Sequence, residues 1–336
     1  MKKFRVSMLF ALVMSLVLSV AFLVPMNAVA MEKPGGFPDR PLTIVNCYGK
    51  GGGSDQLCRA MAGPLEKIIG VPIIIVNKAG GGGVAGLAEF RAYKPDGYTL
   101  LQHIDVVAGL YAQGFIKENP AVDFTPLGIA QLAPSQLFVH PQDERFPNWD
   151  ALEAFIRANP NKLNVANVGN QGSMEKLMMY QLCEAKGLTV NTVTIGESTE
   201  RYASLVGRHV DALFEQPGDV IGFVQSNDMR PVLTFLDYRP KAFADVPSLK
   251  DIGVNINVLW RWRAFFGPKG MPADRAKYME WAIGEAWKSP EFQAFNKSKY
   301  MDMVDSYRNS TDTKKMITEE IASYRNLFKK LGIETK

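Results

Sequence analysis

The chain has 336 residues, 47% hydrophobic and 21% charged, with a formal net charge of +4; that length and balance describe an ordinary globular protein of about two domains and exclude disorder, collagen and coiled coil. Lys2, Lys3 and Arg5 supply three of the four net positive charges, so the rest is near neutral and lacks the basic stripe of a nucleic-acid binder. Three cysteines, Cys47, Cys58 and Cys183, are too few for a disulfide framework and allow at most one bridge, which the sequence does not assign.

At the amino end, Lys2, Lys3 and Arg5 precede an uncharged run from Val6 to Val24, and Ala28-Val29-Ala30 supplies the small-x-small pattern of signal-peptidase cleavage. The expectation is a signal peptide over residues 1–30, export to the periplasm and a mature chain starting near Met31. An uncleaved anchor competes with it, because about 18 apolar residues also span a bilayer. No cysteine sits at the junction to carry a lipid, and no comparable apolar run follows.

Short apolar or β-branched runs bounded by Gly, Asn, Asp or Pro then alternate with helical patterns. In chain order they predict a strand at Leu42 to Cys47, a helix at Leu57 to Ile69, and strands at Val71 to Val76 and Thr99 to His103. There follow a helix at Trp149 to Ala158, a strand at Leu163 to Val168, a helix at Ser173 to Ala185 and a strand at Val190 to Ile195. A helix at Tyr202 to Val206 and strands at Val210 to Phe214 and Pro231 to Phe235 complete the alternation. At the carboxyl end Ile317, Ile321, Tyr324, Phe328 and Leu331 recur at spacings of four, three, four and three, one face of a long helix. The alternation predicts the α/β class, sheets with crossover helices. Met174, Met178 and Met179 fall at helical spacing and read as core in preference to a soft binding surface.

The glycine-rich turns carry the chemistry. Tyr48-Gly49-Lys50-Gly51-Gly52-Gly53-Ser54-Asp55 leaves a strand and opens a helix, with Ser54 or Asp55 suited to cap it. Such a turn is an anion cradle: glycines bring the backbone close to a ligand, and the unpaired amides of the helix start present partial positive charge. The order Lys50-Gly51 excludes a P-loop, and no G-x-G-x-x-G with an acidic partner about twenty residues on can be placed. Gly80-Gly81-Gly82-Gly83 and Gly169-Asn170-Gln171-Gly172-Ser173 are two further turns of this kind. If the strands are parallel, such loops converge on one crevice; the competing reading is a flexible turn.

Catalytic patterns are few. His103, His140 and His209 are neither paired at i, i+4 nor set beside cysteine at zinc-ligand spacing, so no metal is expected. Neither Ser54 nor Ser173 lies in G-x-S-x-G. His103, just past a strand, is a candidate ligand contact or a structural histidine, and Cys47 reads as a buried small hydrophobe. Asp55 is expected to be structural, capping its helix and pairing with Arg59. Trp260-Arg261-Trp262-Arg263 offers a second carboxylate site or a stacking surface, although a solvent-facing strand is the preferred reading.

The residues carry a resemblance to the periplasmic solute-binding proteins of tripartite tricarboxylate transporters, the TctC or Bug family. It starts at Phe37-Pro38-Asp39-Arg40-Pro41 and runs through Tyr48 to Asp55 with Arg59, Asn77-Lys78-Ala79-Gly80-Gly81-Gly82-Gly83 and Pro95-Asp96-Gly97-Tyr98-Thr99-Leu100-Leu101. Asp123-Phe124-Thr125-Pro126, Gly169 to Ser173, Leu205-Val206-Gly207-Arg208-His209-Val210-Asp211, Asp245-Val246-Pro247-Ser248-Leu249 and Trp262 to Pro272 continue it over essentially the whole mature chain. Departures are Cys47 where many relatives have Pro, Pro64 interrupting the first helix, and an Ile195-Gly196 turn without the usual Tyr.

The resemblance implies a two-lobed clamshell, with lobe 1 over residues 31–136 and 254–336 and lobe 2 over residues 137–253. It implies capture of a small mono-, di- or tricarboxylate and delivery to a tripartite tricarboxylate-type membrane permease, by a monomer with no cofactor, no metal, no reaction and no nucleic acid. A sensor partner of a receptor kinase is the alternative, and a secreted hydrolase using Ser54 or Ser173 is the reading from a different class. The candidate ligand-binding residues are Tyr48, Gly52, Gly53, Ser54, Gly82, Gly83, His103, Gly169, Asn170, Gly172, Ser173, Glu215, Gln216 and Arg263. Within that set the loops at Gly52 to Asp55 and Gly169 to Ser173 are expected to share one carboxylate, with His103, Glu215, Gln216 and Arg263 on the far wall.

Overall fold

The computed structural model describes residues 31–168 and 172–335. The expected signal peptide and the positions Gly169 and Asn170 lie outside them. Contacts divide the chain into Met1–Glu32 and Lys33–Lys336, and every element below belongs to the second unit.

The strands are β1 (Leu42–Asn46), β2 (Ile73–Asn77), β3 (Thr99–Ile104), β4 (Thr125–Ala133), β5 (Gln136–Val139), β6 (Asn164–Asn167), β7 (Asn191–Thr194), β8 (Ala212–Glu215), β9 (Arg230–Thr234) and β10 (Arg261–Gly267). They form two five-stranded sheets, ordered β2-β1-β3-β10-β4 and β7-β6-β8-β5-β9. In each, three neighbours are parallel: β2, β1 and β3 in the first, β7, β6 and β8 in the second. The other two strands enter antiparallel, β10 against β3 and β4, β5 against β8 and β9. The chain passes from the first sheet to the second through residues 134–135 and returns through 235–260.

Continuous apolar runs make buried strands because helices cover both faces of such sheets. Every residue of β3 and of β10 is buried. The helices are α1 (Gly53–Ile69), α2 (Val84–Arg91), α3 (Val106–Ala112), α4 (Trp149–Ala158), α5 (Met174–Lys186), α6 (Ser198–Val206), α7 (Ile221–Gln225), α8 (Ala273–Lys288), α9 (Pro290–Ser298) and α10 (Ser310–Leu331). Helix α8 packs on α1 and β4, and α10 on α3 and β4. The predicted carboxyl-terminal stripe is the face that docks, with Ile317, Tyr324 and Phe328 fully buried and worth about 1.5–3 kcal/mol per large side chain. Asn309 caps α10, its side chain accepting from the Asp312 amide at 2.9 Å. Met174, Met178 and Met179 are core.

Three expectations need correcting. Helix α1 runs unbroken through Pro64, which is buried on the helix that packs against α8. Its N-cap is Gly52, with neither Ser54 nor Asp55 capping from that position. The Trp260–Arg263 segment is not solvent-facing: Arg261, Trp262 and Arg263 are 2%, 0% and 3% exposed. Strand β10 lies between β3 and β4, so both its edges are paired and both its faces are covered.

Candidate functional site

The carboxyl ends of the six parallel strands lead into loops that line one cavity of about 670 Å³ between the two sheets. From the first sheet come the β1–α1 turn with Tyr48, Gly49, Gly52, Gly53 and Ser54, the 79–84 turn after β2, and Ile104 and Val106 after β3. Val168 after β6, Thr194 at the end of β7 with Gly196, Glu197 and Ser198 after it, and Glu215 at the end of β8 with Gln216 and Asp219 after it come from the second. Because β10 is antiparallel, its amino-terminal end reaches the same edge and adds Arg261 and Arg263.

The β1–α1 turn is held rigid from behind. Asp55, 3% exposed, accepts from the Gly51 amide at 2.9 Å and from Arg59 Nε and Asn77 Nδ2 at 3.0 Å each. Burial works against the charge, but the Arg59 and Gly51 bonds outweigh it and hold the carboxyl below its usual range. Gly52, Gly53 and Ser54 at the start of α1 line the cavity, whereas Asp55, the one carboxylate of the turn, does not. At Gly53 any side chain would run into the Arg263 guanidinium and, at 2.5 Å, the Asp219 carboxylate.

The 79–83 turn rests on His103. Gly83 has φ +99°, and a Cβ there would lie 2.5 Å from His103 Nε2. His103 is fully buried, and its Nδ1 accepts from the Ile104 amide at 2.9 Å. Burial pushes its pKa down to about 4, so the ring is neutral at physiological pH. The Tyr48 ring stands edge-on to it, centroids 5.5 Å apart, with the hydroxyl donating to the Gly82 carbonyl at 3.4 Å.

Opposite the backbone cradles lies a wall of buried charge. Arg201 on α6 donates to Glu215 at 2.6 Å and to the Ile195 carbonyl at 3.0 Å. Arg261 pairs with Asp105 before α3, with Glu175 in the first turn of α5, and with Gln216 at 3.2 Å. Arg263 pairs with Asp219 and donates to Gln131 at 3.1 Å. Two of these arginines therefore tie the first sheet to residues attached to the second. Burial raises Asp105 to about 7 against the pull of Arg261, and raises Asp219 against that of Arg263. Glu215 goes the other way, because Arg201 more than offsets its burial. Beneath, Trp262 donates to Glu320, which burial and the nearby Asp105 push well above the carboxylate range.

Of the expected site residues, Tyr48, Gly52, Gly53, Ser54, Gly82, Gly83, Glu215, Gln216 and Arg263 line the cavity. His103 stands behind the Gly83 turn instead of lining it. Gly172 and Ser173 also lie off the lining: Gly172 packs toward the Gln113 side chain, and Ser173 is 3% exposed. Among the described residues neither Ser54 nor Ser173 hydrogen-bonds a histidine, and no group of three or more His, Cys, Asp or Glu is placed to hold a metal. Sequence reading did not name Arg201, Glu197, Ser198 or Asp219, and offered Arg261 only within the Trp260–Arg263 alternation. Arg261 was within reach, since it belongs to the same alternation as Arg263; the others follow strands whose ends line the cavity, and that position was their signal. The three cysteines are free and buried.

The family profile described as "Tripartite tricarboxylate transporter family receptor" matches residues 57–333. A Cupriavidus necator protein described as "UPF0065 protein in gbd 5'region" is 28% identical over 304 residues, 90% of this chain and 91% of its own length. In fold the chain is similar to MatC from Rhodopseudomonas palustris with bound malate, at TM-score 0.76 and 22% identity over 87% of this chain and 99% of that one. It is similar also to an R. palustris protein solved with adipate, at TM-score 0.80 and 20% identity over 89% and 99%.

Proposed function

The chain belongs to the tripartite tricarboxylate transporter receptor family, and from that premise we propose that it captures a small organic carboxylate in the periplasm and hands it to a membrane permease of that transporter type. The carrying observation is the cavity between the sheets, where the amides at the start of α1 and the 79–83 turn face Arg261 and Arg263. Helix amides and guanidinium groups are both anion donors, and hydrogen bonds to a charged group are worth roughly 1.5–3 kcal/mol each. Malate and adipate, bound by the two similar structures, are small carboxylates and support the class.

Placing lobe 1 over residues 31–136 and 254–336 and lobe 2 over 137–253 agrees with the two crossings at 134–135 and 235–260. Closure of these lobes on the ligand would then be the signal for docking. A thermal-shift screen of mono-, di- and tricarboxylates tests the reading, since a ligand at 100 times its Kd stabilises the folded state by about 2.7 kcal/mol. A stabilising acid is the expected result; no shift with any carboxylate would remove the proposal. Intact mass of the exported protein, expected to lack residues 1–30, tests the processing.

A further inference from the structure

Three buried arginines at this cavity, Arg201, Arg261 and Arg263, face four buried carboxylates, Asp105, Glu175, Glu215 and Asp219. The wall carries one more acid than base. Such a wall has no surplus positive charge for a dianion. A diacid drawn to Arg263 would have to push Asp219 aside, leaving that carboxylate buried, unpaired and next to a like charge. Arg201 cannot compensate, being already committed to Glu215.

Resting on the carboxylate reading above, we propose that the cavity selects a zwitterionic aminocarboxylate, with Asp219 as the residue that determines specificity. The ligand's carboxylate goes to the Arg263 guanidinium and the α1 amides, and its ammonium to Asp219. Arg263 and Asp219 meet directly over Gly53, at the start of α1. The Arg263 side chain is 3% exposed, and its Nε has no hydrogen-bond partner among the described residues, which leaves a donor for an incoming carboxylate oxygen. Inserted between them, a zwitterion returns to each side chain the opposite charge it gives up. A monoacid satisfies only Arg263, and a diacid repels Asp219, so the same carboxylate rejects both competitors.

Calorimetry on the full mature chain with length-matched probes decides this: 3-aminopropanoate against propanoate and malonate, 4-aminobutanoate against butanoate and succinate, and 5-aminopentanoate against pentanoate and glutarate. In the wild type, at least one aminocarboxylate should bind roughly tenfold or more tighter than its deaminated and diacid counterparts. Asp219→Asn should erase that preference and improve diacid binding. Diacids binding as well as or better than aminocarboxylates in the wild type would overturn the selection by Asp219 while the carboxylate reading stands. Binding of neither class would bring down both. Should Asp219→Asn fail to fold, the wild-type ranking decides alone.

Discussion

The two walls of the cavity recognise charge by different means. On one side the glycine-rich turns at 48–54 and 79–83 offer backbone amides and bare space; on the other, β10 and its neighbours offer arginines whose charges are already answered by carboxylates. An amide cradle costs little to keep because helix-start N–H groups are unpaired in any case. Buried guanidinium groups need partners, and for Arg261 and Arg263 the partners Glu175, Gln216 and Asp219 arrive from the other sheet. The cradle can therefore hold any carboxylate, whereas the ionic wall sets which second group is tolerated and ties the sheets together.

The contrast breaks most visibly at Arg261. Arg261→Leu strands Asp105 and Glu175 in the interior and should cost about 3–5 kcal/mol in chemical denaturation. A loss within about 1 kcal/mol would mean that the wall is not held by charge. Behind the cradle, His103 refuses a proton that the unfolded chain accepts. With its folded pKa depressed to about 4, its contribution is present above about 6.5 and lost as pH falls toward 4. Stability should drop by up to about 3 kcal/mol over that window, and His103→Gln should flatten the profile. A smaller effect is expected at Gly83→Ala, where positive φ and the His103 ring together should cost about 1–3 kcal/mol. The smallest concerns Cys47, at the base of the cradle, and Cys183: burial raises both thiols, Cys183 to about 11, so neither should react with a thiol reagent at pH 7.5 until the chain unfolds. Rapid labelling of Cys47 in the native protein would show a cradle more open than its packing implies.

The same division explains what the sequence made readable. Glycine runs, the apolar strand cores and the Ile317–Phe328 stripe are local signals, and the seven predicted strands appear as β1, β2, β3, β6, β7, β8 and β9. Strand β4 was hidden by Pro126 and Gly128, which break its pattern. Strand β10 was hidden by Arg261 and Arg263, whose alternation with Trp262 resembles a half-exposed strand. Only tertiary pairing with Asp105, Glu175 and Asp219 makes those cations tolerable in the interior, and partners 156, 86 and 44 residues away leave no local trace. Loops after the carboxyl ends of the six parallel strands line the cavity, and β10 adds Arg261 and Arg263 because an antiparallel strand delivers its amino-terminal residues to that edge.

Gly53 is where the two walls touch, which makes it the sharpest probe of the cavity as the ligand site. Isothermal titration of a carboxylate identified by the stability screen, run on wild type and Gly53→Val side by side, tests this directly. The added side chain would occupy the place of the Arg263–Asp219 pair and bar the approach to the α1 amides, so affinity should fall at least about tenfold with the fold intact. Unchanged binding by a folded Gly53→Val protein would put the ligand somewhere other than between the two sheets.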